Sequence, residues 1–303
     1  MDELFLLSLL LAVGAVALLQ VLKVALNPIS ERAPPGPWKL PVIGSMHHLV
    51  NVLPHRALKN LADAYGPLMM LQLGQTPLVV ASSKETARLV LKTHDTNFAT
   101  RPKLLAGEIV GYEWADILFS PSGDYWRKLR QLCAAEILSP KRVLSFRHIR
   151  EDEHYQQHRC AGAFGKKRKN AAEFMAAIKS GVGLASGFNI PDLFPTWTTV
   201  LAAVTSMKRS LQGIHKTVDA ILEEIINERN IARADKIKVG ATENVDENLT
   251  DVLIGLQGKG GFGFHLDNSK IKAIILDMFA GGTGTSASAM EWGMSELMRN
   301  LER

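Results

Sequence analysis

Cysteine is scarce in this chain: 303 residues contain only two, Cys133 and Cys160. That excludes a secreted scaffold held by disulfides and places most of the chain in a reducing compartment. Charge of one sign is scarce too. Thirty-five Lys and Arg stand against 30 Asp and Glu, a net +5. This excess suits anionic lipid or an acidic protein partner and falls well short of what nucleic acid demands. Lys166-Lys167-Arg168-Lys169 therefore reads as a solvated helix entry. Metal-ligand clusters are missing as well. His47 and His48, and likewise His154 and His158, have no acidic or cysteine partners arranged around them, so no metal is assigned. There is no internal repeat and no low-complexity tract. With 47% hydrophobic and 21% charged residues, the chain can bury a substantial core.

A long apolar run is present. Leu4 to Leu22 is interrupted only by Ser8, Gly14 and Gln20. About 20 such residues cross a hydrocarbon core of about 30 Å. Asp2 and Glu3 precede the run while Lys23, Arg32 and Lys39 follow it, so residues after 23 are expected on the cytoplasmic side. A cleaved signal peptide would want a basic start, a shorter run and a small-residue cleavage site, and the acidic start and the length argue against it. The expected organisation is a membrane anchor over 1–26, a proline-rich hinge over 27–44, and a folded domain over 45–303. The hinge contains Pro34-Pro35-Gly36-Pro37, whose prolines fix φ and remove amide donors.

Pro54 to Tyr65 reads as a helix, with Pro in its first turn and Gly66 as the stop. Leu68 to Leu73 and Leu78 to Ala81 read as a hairpin joined by Gly74-Gln75-Thr76-Pro77. Ser82 and Glu85 have capping-box spacing ahead of a helix ending near His94. Phe98 to Pro121 reads mostly as loop and Tyr125 to Leu138 as helix. Further helices are expected over Ala171 to Leu184, Met207 to Ala234 and Leu249 to Leu256. Asp235 to Glu247 reads as a polar connector and Gly258 to Gly263 as a glycine-rich loop. A last long helix starts near Asn268, with Ile271, Ile274, Ile275, Met278 and Phe279 on one face. The fold class is mainly α with a small β-sheet.

Three segments together resemble the plant-type microsomal cytochromes P-450, haem-thiolate monooxygenases. The first is the anchor followed by Pro34-Pro35-Gly36-Pro37 and Leu40-Pro41-Val42-Ile43-Gly44. The second is Asn97-Phe98-Ala99-Thr100-Arg101-Pro102 with Tyr125-Trp126-Arg127-Lys128-Leu129-Arg130, similar to the segment around the family's C helix. The third is Ala280-Gly281-Gly282-Thr283-Gly284-Thr285-Ser286, which resembles the oxygen-binding stretch of its I helix. The wording is similar to enzymes that hydroxylate terpenoids.

The resemblance implies roles for particular residues. Trp126 and Arg130, four apart and so on one helical face, would meet the haem propionates, where guanidinium–carboxylate pairing is strong. The plain alternative is a core Trp beside a surface Arg. Ala280, Gly281 and Gly282 would lie against the haem, and Thr285 would steady bound oxygen and relay protons. Glycines in a helix interior cost about 1 kcal/mol each relative to Ala, which close packing against another helix would also explain. Where the family usually has an acid before that threonine, this sequence has Gly284. Leu104, Leu105 and Phe279 are candidate substrate contacts, and ordinary core is the competing reading.

Two departures stand out. The family's iron ligand is a cysteine in a loop well past the I helix, and the sequence ends at Arg303, near the end of that helix. Cys133 reads as a core residue, and Cys160 lacks the Phe, Gly and Arg that should precede a ligand. The segment 154–162 has no helical apolar period where the family has further helices. Glu85 with Arg88, and Glu296 with Arg299, echo a family Glu-x-x-Arg pair in the wrong helices. The function the resemblance implies is monooxygenation of an apolar small molecule, while the 303 residues themselves, lacking the cysteine ligand, are expected to be inactive. That reaction would use haem, an NADPH-dependent reductase and the endoplasmic reticulum membrane, with the bulk of the chain cytosolic. The alternative is a non-catalytic, membrane-tethered chain whose I-helix face, Ile274, Ile275, Met278 and Phe279, is left exposed. On the same topology the sequon Asn248-Leu249-Thr250 is expected to stay unmodified.

Overall fold

The structure is a computed structural model that describes residues 33–147, 170–185, 188–238 and 248–300, together with Ser8 and Gly14. The expected anchor, the segment 154–162, Cys160 and the run 166–169 lie outside the described residues. Among those described, no helix is long and apolar enough to cross a membrane. The chain divides into two compact units, residues 1–99 with 188–201, and residues 100–187 with 202–303.

The first unit is built on a hairpin. Helix α1 spans Pro54–Tyr65, buries Ala57 and Ala62, and ends where the Gly66 N–H, at φ +101°, returns to the Ala62 carbonyl. Strands β1 (Leu68–Leu73) and β2 (Thr76–Ala81) pair antiparallel from Leu68 opposite Ala81 to Leu73 opposite Thr76. Met69, Leu71 and Leu73 point inward on alternate positions and meet Ala62 and Leu193. The connection is only Gly74-Gln75, shorter than the sequence suggests, because Pro77 sits inside β2 opposite Gln72. In a two-residue hairpin the closing pair is the hydrogen-bonded one. Pro77 thus falls at the non-bonded position, where its missing N–H is not needed.

The other edge of β1 is covered by the proline-rich segment. Met70 N–H donates to the Pro35 carbonyl at 2.9 Å and Ser45 N–H to that of Gln72 at 2.6 Å. A Cβ on Gly36 would lie 1.9 Å from the Met70 oxygen, and one on Gly44, at φ +63°, 2.2 Å from the Gln72 oxygen. Helix α2 spans Lys84–Arg88 and runs on through one wider turn, Leu89–Thr93, to His94. Its capping box is Ser83 with Thr86, one residue later than the expected Ser82 and Glu85. The Ser82 hydroxyl donates instead to the Pro67 carbonyl at 3.3 Å, which ties it to the hairpin. Helix α3 is the single turn Asp95–Phe98.

The second unit is helical. Its early elements are α4 (Leu105–Ile109), where a loop was expected, and α5 (Asp124–Leu132), continued by a wider turn over Cys133–Ile137. Then come α6 (Pro140–Ser145) and α7 (Ala171–Leu184). After α7 the chain passes through the first unit, which holds α8 (Ile190–Leu193) and the start of α9 (Thr198–Val204). Helix α10 then runs Met207–Lys238, beyond the expected Ala234 into the supposed connector. Helix α11 runs Leu249–Lys259, so the glycine-rich loop begins only at Gly260. Its N-cap is Asn248, 1% exposed, whose side chain accepts the Asp251 N–H at 3.0 Å. The sequon asparagine is thus a buried helix cap.

Helix α12, Asn268–Arg299, inverts one expectation. Ile271, Ile274 and Ile275 are 0% exposed and Phe279 is 7%, because α7, α10 and α11 already cover the first three turns. The exposed apolar residues lie farther along: Met290, Trp292, Met294, Leu297 and Met298. One charge is buried on the covered face. Lys272 Nζ lies 2.6 Å from both Asp219 and Glu223 of α10, and these carboxylates outweigh burial and hold its pKa above the ordinary lysine value.

The close approach at Gly44 predicts that Gly44→Ala destabilises the first unit by about 1–3 kcal/mol, with the Ser45 amide exchanging faster. Gly213→Ala, at a helical site where an added Cβ meets nothing within 4 Å, is expected to be neutral or stabilising by up to about 1 kcal/mol. Thermal melts and amide exchange read both, and an unaltered Gly44→Ala protein would refute the packing argument.

Candidate functional site

The segment between α4 and α5 carries the site's geometry. Tyr112, Glu113 and Trp114 are all at positive φ, 52°, 59° and 57°, a left-handed turn made without glycine. Each such residue costs roughly 1–2 kcal/mol, so the surroundings must hold it. They do so on several sides. Tyr125 of α5 donates its hydroxyl to the Ala115 carbonyl at 2.6 Å, and Trp126 its indole N–H to that of Ile117 at 3.1 Å. Arg101 Nε donates to the Leu118 carbonyl at 3.2 Å. Asp277 of α12 accepts the N–H groups of Ile117 and Leu118 at 2.6 and 3.3 Å. The Tyr112 hydroxyl reaches Asp219, the partner of Lys272.

Trp126 and Arg130 come together as the four-residue spacing requires. The Arg130 guanidinium lies over the Trp126 ring at 4.7 Å, and Arg101 approaches the same ring at 6.0 Å. Arg101 belongs to a motif legible in the sequence, but its place beside Trp126 needed the fold. Trp126 and Arg130 line a cleft of about 510 Å³ with Ile117, Cys133 and Met278 of α12. Cys133 itself is 2% exposed, and burial, with the Asp277 charge adding, pushes its thiol up to about 12. It remains a neutral core thiol.

Beyond Met278, Gly281, Gly282 and Gly284 lie on an exposed stretch of α12, where no described residue comes within 4 Å of an added Cβ. Close helix packing within the described residues is therefore not what these glycines serve. Thr285 is exposed and its hydroxyl donates back to the Gly281 carbonyl. Glu85 and Arg88 lie in α2, while Arg299 Nη1 and Glu296 Oε1 are 3.9 Å apart on the exposed end of α12.

A second, smaller cavity of about 60 Å³ is lined by the same segment. Val110 and Phe119 line it with Ile178 and Val182 of α7, Ile214 of α10 and Ala280 of α12. Leu105 is packed with Ala202, Met207 and Leu211, and half-buried Leu104 precedes it. Phe279 is packed edge-on against Phe174 at 5.3 Å. Only Ala280 of the sequence candidates lines this cavity.

The same cavity holds two carboxyls, Asp116 and Asp277. Asp116 is 2% exposed, and its one hydrogen bond from the backbone ahead is Phe119 N–H at 3.2 Å. Burial, then the neighbouring Asp277 charge, pushes it up to about 8. Burial also raises Asp277, less far because two backbone N–H groups stabilise its charge. Both carboxyls are thus held above the ordinary carboxylate range, and the pair titrates as a unit.

Comparison with known proteins decides the family. The Cytochrome P-450 family model matches residues 34–160 and 157–303. The chain belongs to the cytochrome P-450 family. It is 45% identical over 302 residues to premnaspirodiene oxygenase of Hyoscyamus muticus, covering 90% of this chain and 59% of that protein. It is 42% identical over 300 residues to 5-epiaristolochene 1,3-dihydroxylase of Nicotiana tabacum, with the same two coverages, 90% and 59%. The chain thus spans about three-fifths of the length of the curated relatives it matches. A zebra fish cytochrome P-450 structure with progesterone matches at a TM-score of 0.58 and 20% identity, covering 83% of this chain and 61% of that one, a likeness of fold. The break in the family match falls where the sequence lacks a helical period.

Haem is the group this family binds, and the described residues fit part of it. Arg101, Trp126 and Arg130 suit its carboxylate edge, and the glycine strip of α12 leaves room for a flat face. They supply no available thiolate, since Cys133 is buried and protonated.

The carboxyl pair makes a pH prediction. Its folded pKa values lie above the unfolded value of about 3.9, so the folded chain holds the extra proton between pH ~4 and ~8. The pair's contribution is fully present below about pH 4 and is lost as pH rises through about 8. Asp116→Asn should therefore flatten the fall in melting temperature across that window relative to the parent chain. Equal slopes in the two proteins would remove the pair as the cause.

Proposed function

We propose that this chain is the haem-edge and substrate-roof part of a monooxygenase that inserts one oxygen atom into an apolar small molecule of terpenoid type. The observation that carries this reading is the stacked Trp126–Arg130 pair, which shares one cleft with Met278, less than a turn before the glycine strip of α12. Haem, when bound, supplies the oxygen chemistry.

The chain's own residues bind, orient and exclude water. Arg130 and Arg101 pair with the propionates, each guanidinium offering charge-assisted hydrogen bonds. Trp126 keeps Arg130 aligned because its own N–H is already used by the Ile117 carbonyl. Ala280, Gly281 and Gly282 let the flat group approach the helix. Thr285 Oγ1 holds its proton on the Gly281 carbonyl and can redirect it toward the open face. With Gly284 in place of an acid, proton delivery there falls to Thr285, Ser286 and water. The walls of the apolar cavity, with Leu104, Leu105 and Phe279 behind them, set substrate shape.

In the cell, residues 1–26 anchor the chain in the endoplasmic reticulum membrane. An NADPH-dependent reductase docks on its basic cytosolic face. The relatives named above as an oxygenase and a dihydroxylase support the reaction class. A second reading is a tethered chain without haem-thiolate chemistry, favoured by the buried, protonated Cys133 and by the exposed Met290, Trp292 and Leu297 on α12.

Two measurements test the proposal. Haemin titrated into the chain should bind, with Arg130→Ala weakening it by about tenfold or more, as loss of a charge-assisted bond worth about 1.5–3 kcal/mol requires. Microsomes holding the chain and a plant reductase should give a thiolate-type Soret band on carbon monoxide, and a terpenoid product heavier by one oxygen, only where a cysteine outside the described residues supplies the thiolate. Haemin binding indifferent to Arg130→Ala sinks the edge assignment. Absence of both band and product establishes the second reading.

A further inference from the structure

The first unit turns apolar side chains outward in two separate stretches. In the first, Met46 and Leu49 pack onto the hairpin core beside Met69 and Leu71. Trp38, Val42, Ile43, Val50, Val52 and Leu53 of the same stretch stay exposed. The second stretch repeats the division. Pro191 and Leu193 of α8 are buried, while Phe188, Ile190, Trp197 and Val200 are exposed. The two stretches meet at one place, the Gly74-Gln75 turn. Gly74 N–H donates to the Ile43 carbonyl at 3.2 Å and Gln75 N–H to that of Leu193 at 2.9 Å. The Gln75 side-chain oxygen then accepts the Thr196 N–H at 3.0 Å. One turn therefore ties both sets of exposed apolar residues together.

We propose that this face of the first unit rests on an anionic lipid bilayer, with Trp38 set into the interface. Three observations single out lipid. The first is Trp38 itself, which is 61% exposed and yet held by stacking, its ring 4.2 Å from that of His47 and 5.6 Å from that of His48. A fixed, exposed ring with an apolar body and a polar N–H suits the boundary between headgroups and acyl chains.

The second is charge. From Arg32 to Ala62 the sequence holds no Asp or Glu, although the whole chain carries 30 of them, and Arg32, Lys39, Arg56 and Lys59 fall within that stretch. Lys59 pairs with Asp63 just beyond it, and Arg56 is exposed one turn from Leu53. Cations set beside apolar side chains, with no acids among them, favour anionic headgroups. The third is nearness. Trp38 follows Leu22, the end of the apolar run expected to anchor the chain, by 16 positions, a tether at most about 55 Å long when fully extended. At that length the bilayer stands at high effective concentration and outcompetes a soluble partner for the same patch. The inference takes only the anchor from the proposed function. The residues of the face belong to the first unit and those of the haem edge to the second, so a chain without haem chemistry keeps it.

The chain's five tryptophans make the face testable. The full chain is reconstituted with vesicles of phosphatidylcholine brominated along the acyl chain, with and without phosphatidylserine, and tryptophan fluorescence is read. Flotation with the vesicles reports the anchor and quenching reports the face, so either fails without the other. Quenching is expected, and more of it with phosphatidylserine. Trp38→Phe should remove the larger part and Trp197→Phe a smaller one, while Trp292→Phe, on α12 of the second unit, should leave it unaltered. Lys39→Glu with Arg56→Glu should remove the extra quenching that phosphatidylserine brings. If Trp38→Phe fails to fold, Val50→Asp with Leu53→Asp, both at exposed sites, decides by lifting Trp38 out of reach of the bromine. Quenching that survives these changes, or that is lost in Trp292→Phe instead, overturns the assignment. So does a Trp38 signal that follows chain concentration and not bromine, which would give the face to a second copy.

Discussion

The burial of the first three turns of α12 is the constraint on which the second unit depends. Ile271, Ile274 and Ile275 are 0% exposed, and α7, α10 and α11 are each built to meet them through Phe174, Ile178, Leu222, Ile225 and Leu253. Fully burying each such side chain is worth roughly 1.5–3 kcal/mol, so this row outweighs any polar contact nearby. Once it is fixed, the polar groups on the same helix fall into place. Lys272 is turned toward Asp219 and Glu223 on α10, and Asp277, five residues on, toward the segment after α4. Breaking the Lys272 cluster from one side would strand buried charge, so its value lies in fixing register more than in adding stability. The same helix then leaves the core, and its glycine strip sits on the far, exposed stretch.

What the sequence made legible was local and punctuated. Pro54 and Gly66 bound α1 because one fixes φ at the first turn and the other takes a positive φ at the stop. The hairpin was visible from its alternation, but not the length of its turn. Pro77 argues for a loop until the pairing shows that its nitrogen is not needed there. The capping box slipped by one residue because Ser82 and Ser83 are both capable caps, and only the Pro67 carbonyl distinguishes them. The ends of α10 and α11 ran past their polar residues because helix propensity, not apolar period, carries a helix into solvent.

The candidate site was half legible. Trp126 and Arg130 follow from four-residue spacing on one helix, and their contact is local. The segment from Tyr112 to Phe119 was not, since a left-handed turn without glycine leaves no mark in composition. Nor was the pairing of Asp116 with Asp277, which stand 161 positions apart and meet only because Ile117 and Leu118 donate to α12. The exposure assigned to Ile274 and Ile275 was inverted for a related reason. Their partners were judged missing, whereas residues of α7, α10 and α11 supply them.

Asp277 shows why a carboxylate can be kept at the edge of an apolar cavity. A neutral side chain there could not accept both the Ile117 and Leu118 N–H groups as strongly, and the segment would lose its hold on α12. Accepting them offsets part of the burial that raises Asp277, while burial, with the Asp277 charge adding, raises its neighbour Asp116. The two carboxyls are not redundant: the first fixes the wall through two backbone N–H groups, and the second closes its own turn through the Phe119 N–H.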